Sequence, residues 1–235
     1  MTKQEAKKII TDAIQSGRKS LLEPEAKALL SSFNIPVPKN VFVRSAEGGV
    51  NAANNMGYPV VLKVVSMDIL HKTEAGGVVT GIRGAGDMQD SFNEMIFELS
   101  DRNTTARIEG FLIEKMVDKG IEVIIGGMRD SQFGPAVMFG IGGVMVELLK
   151  DVSFRLTPVT KDECLEMMRE IKAYPLLTGY RGSKPCDIDA IADVIIKVGD
   201  IMCEMDVIKE MEVNPLIVYP DGVMAVDARV LLNAR

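Results

Sequence analysis

The residue best suited to group-transfer chemistry in this sequence is its single histidine. His71 lies in the segment Asp68–Gly77, a polar loop that ends in paired glycines and belongs to no periodic apolar element. A neutral imidazole is a good nucleophile at physiological pH and can accept and pass on a phosphoryl group. Glycines let a loop move and let its backbone approach a phosphate. The alternative interpretation is a solvated loop histidine with no reactive role.

A lysine interrupts the apolar run that precedes this loop. Lys63 lies within residues 59–65, a mostly β-branched segment that predicts a buried strand. A charged side chain in such a run is rarely fully buried without a partner. Two interpretations stay open at this point: the lysine reaches solvent from an edge strand, or it points into a cleft and holds phosphate oxygens.

Four glutamates lie in or beside other apolar runs: Glu114, Glu122, Glu147 and Glu212. Half-exposed strands carrying surface carboxylates would explain them. Carboxylates in a cleft would instead bind ribose hydroxyls, a metal ion or the imidazole of His71.

The C-terminal segment predicts a β-hairpin with a specific register. Tyr219–Gly222 has turn chemistry between two apolar runs. A two-residue loop would place Asn214 directly opposite Asp227, about 5 Å apart on one sheet face, which suits joint binding of one cation. Glu212 shares that face because strand side chains alternate. A glycine bulge at Gly222 would shift this register by one residue.

The elements that must position these residues follow from periodicity and capping signals. Thr2 with Glu5, and Thr160 with Glu163, are capping boxes that begin helices. Helices are predicted before residue 35 and over about 45–56, 87–99, 160–172 and 189–205. Strands are predicted at 41–43, 59–65, 78–82, 110–117 and 122–128, around the glycines at 140–143, and in the final hairpin, with a turn at 118–120. Strand pairs beside helices are typical of an α+β fold.

Composition excludes several classes of protein. The 235 residues carry a net charge of −6, which argues against a nucleic-acid binder. Gly140–Gly143 lacks the third glycine of a dinucleotide fingerprint, and no P-loop pattern occurs. Three distant cysteines without a CxxC spacing predict neither disulfides nor zinc and favour a reduced cytoplasmic location. The longest uncharged stretch, 131–146, is shorter than the ~20 residues of a membrane span.

Four segments together resemble the nucleotide-binding β subunit of ADP-forming acetyl-CoA synthetases, within the NDP-forming acyl-CoA synthetase superfamily. They are residues 63–77, 139–151, 179–182, and 212–216 with 227–229. The resemblance covers essentially the whole chain. It implies a single ATP-grasp domain over 1–235, whose two subdomains enclose a nucleotide cleft. A lid subdomain would span about 40–113 and a C-terminal subdomain about 114–235, with the helices of residues 1–35 packing on the latter.

The resemblance also implies roles for individual residues. Lys63 looks like the lysine that contacts nucleotide phosphates, Glu114 like the adenine-side residue and Glu122 like the ribose-binding carboxylate. Asn214 and Asp227 resemble the Mg²⁺ ligands. The further positions implied to bind nucleotide are Val65, Gly76, Gly77, Met116 and Val117.

Two residues are implied to take part in phosphoryl transfer. Glu212 resembles the carboxylate that orients a phosphohistidine, and His71 resembles a second phosphorylated histidine. The implied activity is ATP formation from ADP, phosphate and acyl-CoA, with a CoA-binding α subunit in an α2β2 assembly and with Mg²⁺ and ATP/ADP bound. An ATP-grasp carboxylate–amine ligase and a non-enzymatic nucleotide-sensing subunit are the alternatives. Detection of phosphate on His71 would distinguish the synthetase subunit from both of these alternatives.

Overall fold

The computed structural model describes residues 2–69, 71–102, 106–142 and 151–233. Its helices are α1 Lys3–Gln15, α2 Glu23–Ser32, α3 Ala46–Met56, α4 Ala85–Arg102, α5 Lys161–Glu170 and α6 Ile188–Glu204. Its strands are β1 Asn40–Val43, β2 Val60–Ser66, β3 Val78–Ile82, β4 Ile108–Lys115, β5 Ile121–Asp130, β6 Gly134–Ile141, β7 Val152–Leu156, β8 Ile208–Tyr219, β9 Gly222–Ala225 and β10 Ala228–Leu232. Glu147, one of the four glutamates considered as cleft carboxylates, lies outside the described residues.

The chain folds into two compact units. Pro38–Asp118 forms one, called the four-strand unit, and Met1–Val37 with Lys119–Arg235 forms the other, called the six-strand unit. The boundary therefore follows Asp118, whereas the sequence interpretation placed it near residue 113. The difference assigns Glu114 to β4 and hence to the four-strand unit.

The four-strand unit is an antiparallel sheet in the order β1-β4-β2-β3, with α3 and α4 on one face. Strand alternation places Val60, Leu62 and Val64 in the helix-side core, where they pack with Met88 and other residues of the helices. The intervening residue Lys63 therefore lies on the opposite face of the sheet.

The six-strand unit has the sheet order β10-β8-β5-β6-β7, with β9 paired to β8. Its core lies between the sheet and helices: Val123 and Phe139 from the strands pack in one cluster with Ile195 of α6 and Leu29 of α2. The other face of the sheet carries the alternate residues, including Glu122 and Glu212. Helices α1 and α2 thus belong to the same core as the later part of the chain.

Several local predictions are confirmed and one is wrong. The capping boxes of Thr2 and Thr160 both form. The strands before and after Asp118–Gly120 do form, but β4 and β5 belong to different sheets and do not pair. The connecting segment is a junction between the two units rather than a hairpin turn. No helix among the described residues is long and apolar enough to cross a membrane.

Candidate functional site

The four-strand unit buries an ion pair on the face of its sheet away from the helices. Val61 lies opposite Glu114 in the β2–β4 register, so Lys63, two residues further on, is a diagonal neighbour of Glu114 on the same face. Lys63 Nζ lies 3.0 Å from Glu114 Oε1. Lys63 and Glu114 are only 5% and 1% exposed. Because β2 lies between β4 and β3, the edge-strand interpretation of Lys63 is wrong.

This ion pair constrains the predicted roles of both residues. The Glu114 carboxylate, implied to lie beside adenine, is engaged by the Lys63 ammonium.

The other predicted nucleotide-binding positions of this unit lie on or just after the same two strands. Val65 is buried on the same face as Lys63. Met116 and Val117 follow the end of β4, and the Met116 N–H donates to the Pro59 carbonyl at 3.2 Å. The side chain of Met116 is exposed.

His71 is exposed in the loop that connects β2 to β3. The buried side chain of Ile69 fixes the loop on one side of the histidine. On the other side, the Gly77 carbonyl accepts from the Val64 N–H at 2.8 Å. The His71 carbonyl accepts from the Ala75 N–H at 3.0 Å, which makes the histidine the first residue of a tight turn. The imidazole therefore stands on a short segment held at both ends.

The paired glycines at the end of the turn have a different role from the one the sequence suggested. The Gly77 N–H donates to the Lys72 carbonyl at 2.7 Å, and the Gly76 N–H donates to the Thr73 carbonyl at 3.2 Å. As the loop stands, both amides are engaged within the turn and neither is presented to a phosphate. A Cβ at Gly77 would lie 2.4 Å from Val64 Cγ1, so this position requires glycine for close packing.

The six-strand unit carries the predicted acidic hairpin in the predicted register. Tyr219 pairs with Gly222 and Leu216 with Ala225, so no bulge shifts the two strands. The Asn214 N–H donates to the Asp227 carbonyl at 3.2 Å, which continues the same register. Two residues further on, Glu212 lies opposite Arg229. The register thus places Arg229, for which no role was predicted, beside Glu212.

The side chains on this hairpin are oriented by hydrogen bonds that suit a cation. Asn214 Nδ2 donates to Glu212 Oε1 at 2.8 Å, which directs the amide Oδ1 away from that glutamate. Asp227 Oδ1 accepts from the Ala228 N–H at 2.7 Å, which fixes the carboxylate. An amide oxygen and a carboxylate are ligands that Mg²⁺ accepts alongside water and substrate phosphates. Within the described residues, no group of three His, Cys, Asp or Glu side chains forms a self-sufficient metal cage.

Glu122 lies near the start of β5, exposed on the sheet face that also bears Glu212. Its carbonyl accepts from the Gly142 N–H at 2.7 Å, so the backbone of β5 is fixed there by the end of β6. The backbone that carries Glu122 is therefore fixed, and the carboxylate is exposed on the sheet face that also bears Glu212.

Two of the three cysteines are buried or half-buried, and the third, Cys203, is exposed with its Sγ 3.0 Å from Thr157 Oγ1. Cys164 is fully buried in the core of the six-strand unit, and burial raises the pKa of its thiol to about 11. Burial also raises the pKa of Cys186. Since the thiolate is the reactive form, both are inert near neutral pH. All three cysteines are unpaired, which agrees with the sequence prediction.

Comparison with known proteins decides the family. The sequence model of the ATP-grasp domain family matches residues 12–232 of this chain. The chain belongs to the ATP-grasp family. The predicted α+β ATP-grasp class is therefore confirmed.

Relatives within the ATP-grasp family are named as ADP-forming ligases. The chain is 48% identical over 227 residues to the β subunit of acetate–CoA ligase (ADP-forming) I of Pyrococcus furiosus, covering 97% of each chain. It is 44% identical over 231 residues to acetate–CoA ligase (ADP-forming) I of Archaeoglobus fulgidus, covering 98% of this chain but only 33% of that one. The predicted resemblance to β subunits of ADP-forming acetyl-CoA synthetases is confirmed.

Solved structures agree with this family assignment. The acetyl-coenzyme A synthetase 1 of Candidatus Korarchaeum cryptofilum, in complex with coenzyme A and Ca-AMPCP, superposes with a TM-score of 0.95 at 45% identity, over 97% of this chain and 100% of that one. Another complex of that protein contains coenzyme A and Mg-AMPPCP, with a phosphohistidine segment pointing towards the nucleotide-binding site. It superposes with a TM-score of 0.86 at 43% identity, with the same coverage.

Proposed function

We propose that this chain is the nucleotide-binding subunit of an ADP-forming acyl-CoA synthetase and that it carries a phosphoryl group on His71. In the reversible overall reaction, acyl-CoA, ADP and phosphate give the acid, ATP and CoA. A CoA-binding partner forms an acyl phosphate and then a phosphohistidine. This chain takes the phosphoryl group from that phosphohistidine and delivers it to ADP.

The two transfers balance without any further reactant. A ring nitrogen of His71 attacks the phosphorus of the partner's phosphohistidine, and the phosphorus–nitrogen bond to the partner breaks. A terminal oxygen of ADP then attacks the same phosphorus, and the bond to His71 breaks to give ATP. Such transfers need in-line positioning and neutralisation of charge more than covalent assistance. The exposed His71 imidazole, set on a turn that is held at both ends, is the observation that carries this proposal.

The remaining residues bind and position the reactants. Lys63, buried against Glu114, supplies a cation on a rigid strand for phosphate oxygens, and Glu122 supplies a carboxylate for ribose hydroxyls. Asn214 and Asp227 would hold Mg²⁺, which when bound neutralises the phosphates. Glu212 is placed by Asn214 to accept a hydrogen bond from an imidazole N–H and so to orient a phosphohistidine. Gly76 and Gly77 would shape the turn rather than donate to phosphate.

Two observations support a CoA-binding part outside the segment that this chain represents. The Pyrococcus relative is itself named a β subunit. The Archaeoglobus relative contains the matching segment within a chain about three times as long. We propose an α2β2 assembly with such a partner. The three unpaired cysteines are consistent with the reducing cytoplasm, which we propose as its location.

The experiment that tests the proposal is phosphate trapping on His71. The chain is incubated with Mg-ATP labelled in the γ-phosphate, and the label is expected on His71 as an acid-labile, base-stable adduct located by mass spectrometry. His71→Gln should bind Mg-ATP normally and carry no label. A carboxylate–amine ligase or a nucleotide sensor would leave His71 unlabelled in the wild-type chain, and that result would refute the relay.

With the partner, acyl-CoA and labelled phosphate present, the His71→Gln complex should accumulate label on the partner and none on ADP. Label that reached ADP at the wild-type rate would show direct transfer from the partner and would overturn the role of His71.

A further inference from the structure

Arg229 is a cation beside the candidate magnesium ligands to which no role has yet been given. It lies on β10, two residues after Asp227. Its neighbours Ala228 and Val230 are buried in the helix-side core, so Arg229 points to the other face of the sheet. That face also bears Glu212, which lies directly opposite Arg229 in the strand register.

The guanidinium of Arg229 is exposed, and the carboxylate opposite does not hold it. Opposite charges across an antiparallel pair attract one another. The Glu212 carboxylate nevertheless accepts from Asn214 Nδ2, at 2.8 Å, along its own strand. Within the part of the chain that the structure describes, the Arg229 guanidinium forms no ion pair or hydrogen bond. Its five N–H donors are therefore available to a bound anion.

The strand that bears Arg229 is held along both of its edges. On one edge β10 pairs with β8. On the other, the Leu21 N–H donates to the Val230 carbonyl at 3.0 Å, and Ser20 forms a bridge with Leu231. The backbone position of the arginine is thus fixed, as a group that must meet a ligand in one orientation requires.

Charge and geometry together select the kind of anion. Asp227 and Glu212 contribute two negative charges, which one Mg²⁺ would balance, and Arg229 adds one positive charge. A guanidinium binds two oxygens of one phosphate in parallel, whereas an ammonium acts as a point charge. A bridging phosphate that gives one oxygen to a metal ion has a single free oxygen left. A terminal phosphate has two left, so it is the group that fits Arg229.

We infer that Arg229 binds the phosphoryl group that is transferred, the γ-phosphate of ATP, through two of its oxygens. This inference rests on the proposed function. The group moves between ADP and His71, and Glu212, opposite Arg229, is the carboxylate proposed to orient the phosphohistidine. During transfer the charge spreads over the three equatorial oxygens of the phosphoryl group. The guanidinium stabilises that charge, and the bonds from phosphorus to His71 and to ADP remain the only bonds that change.

The first test compares ATP with ADP in a background that cannot transfer the group. Dissociation constants of Mg-ATP and Mg-ADP are measured by calorimetry for His71→Gln and for His71→Gln/Arg229→Gln. The loss of Arg229 should weaken Mg-ATP binding about tenfold and leave Mg-ADP binding unchanged, because ADP lacks the γ-phosphate. Arg229→Lys keeps the charge without the fork and should recover only part of the loss. Arg169→Gln, at an exposed arginine of α5 in the same unit, should change neither constant.

The second test measures the rate of transfer and the stability of the same variant. With saturating Mg-ATP labelled in the γ-phosphate, single-turnover labelling of His71 should be about a hundredfold slower in Arg229→Gln than in the wild type. The midpoint of urea denaturation should be the same in both. A purely structural partner of Glu212 would instead lower the midpoint and leave the ratio of ATP to ADP affinity unchanged, which would overturn the inference.

The remaining outcomes separate this inference from the relay. Equal losses of Mg-ATP and Mg-ADP affinity, or no loss of either, would overturn the role of Arg229. Labelling of His71 at the wild-type rate in Arg229→Gln would do the same and leave the relay intact. Absence of label on His71 in the wild type would refute the relay, whereas a selective loss of Mg-ATP affinity would still support Arg229 at the γ-phosphate.

Discussion

Lys63 and Glu114 are charged side chains that the fold removes almost completely from water. Removing two charges from water is costly, and their attraction offsets that cost only when the geometry is good. The 3.0 Å contact between Nζ and Oε1 meets that condition. Their burial on a sheet face outside the helix-side core indicates that the pair is kept for a purpose other than core packing. A nucleotide-binding lysine held by a carboxylate fits this arrangement.

Removal of the Lys63 charge should therefore destabilise the protein. Lys63→Met keeps most of the aliphatic stem but leaves the Glu114 carboxylate buried without its cation, which typically costs about 3–5 kcal/mol of unfolding free energy. In urea denaturation, the double variant Lys63→Met/Glu114→Gln should lose less unfolding free energy than the two single variants lose together. Lys161→Met removes one partner of the exposed Lys161–Asp189 pair and should cause no measurable change. A wild-type midpoint for Lys63→Met would contradict the ion pair seen here.

The hairpin residues Asn214 and Asp227 should determine the magnesium requirement. Asn214→Ala and Asp227→Ala should each raise the Mg²⁺ concentration needed for ADP binding about tenfold, or roughly 1.4 kcal/mol. Because both residues would ligate one ion, the double variant should lose less Mg²⁺ affinity than the two single variants lose together. Titration of a fluorescent ADP analogue with Mg²⁺ measures this. Asp221→Asn, at the exposed turn of the same hairpin, serves as the control, and equal metal dependence in all four variants would exclude the site.

These two residue pairs show why sequence reasoning succeeded in one place and failed in another. The Asn214–Asp227 pairing depends only on a local turn and on strand alternation, and the sequence contains both. The burial of Lys63 depends on which strands flank β2, and these come from residues about 15 and 50 positions further along the chain. A single sequence does not reveal such distant pairings. An apolar run interrupted by one lysine is compatible with an edge strand and with an interior one.

At the scale of elements, turn residues predicted one connection correctly and another wrongly. Tyr219–Gly222 joins paired strands, whereas Asp118–Gly120 joins strands of two different sheets. Glycine and aspartate permit a change of chain direction in both settings, but only contacts between the flanking strands make a hairpin. The apolar runs around both segments look alike in sequence. The difference therefore lies in tertiary packing.

The turn that bears His71 should depend on the absence of a side chain at Gly77. Gly77→Ala would place Cβ 2.4 Å from Val64 Cγ1, so the turn or the strand must shift. Overpacking of this kind costs about 1–3 kcal/mol, and labelling of His71 should slow with the displaced turn. Val64→Ala removes the obstructing methyl group, so the double variant should regain labelling relative to Gly77→Ala.

Gly84→Ala provides the matched control for Gly77→Ala. A Cβ at Gly84 meets no atom within 4 Å, and both glycines belong to the same unit. Thermal unfolding and labelling of His71 should be unchanged in Gly84→Ala. Equal behaviour of the two alanine variants would show that packing at Gly77 does not position the histidine.

At the scale of the whole molecule, each compact unit has its own apolar core and its own share of the candidate residues. The four-strand unit contains Lys63, Glu114 and His71, and the six-strand unit contains Glu122 and the hairpin. The sequence alone predicted the α+β class and most helices, because capping boxes and apolar periodicity are local signals. The division of strands between two sheets required the structure, since the chain leaves the six-strand unit after Val37 and returns to it at Lys119.

The chain alone should bind Mg-ADP but should form no ATP from acetyl-CoA, ADP and phosphate. Its sequence contains one histidine, so a relay between two imidazoles must take the other from a partner. A luciferase-coupled assay should detect ATP only after the CoA-binding subunit is added, and only with wild-type chain; the same mixture with His71→Gln should remain inactive despite normal assembly. ATP formation by the purified chain without the partner would show that it contains the complete acyl-transfer machinery, and would contradict its assignment as one subunit of a two-histidine relay.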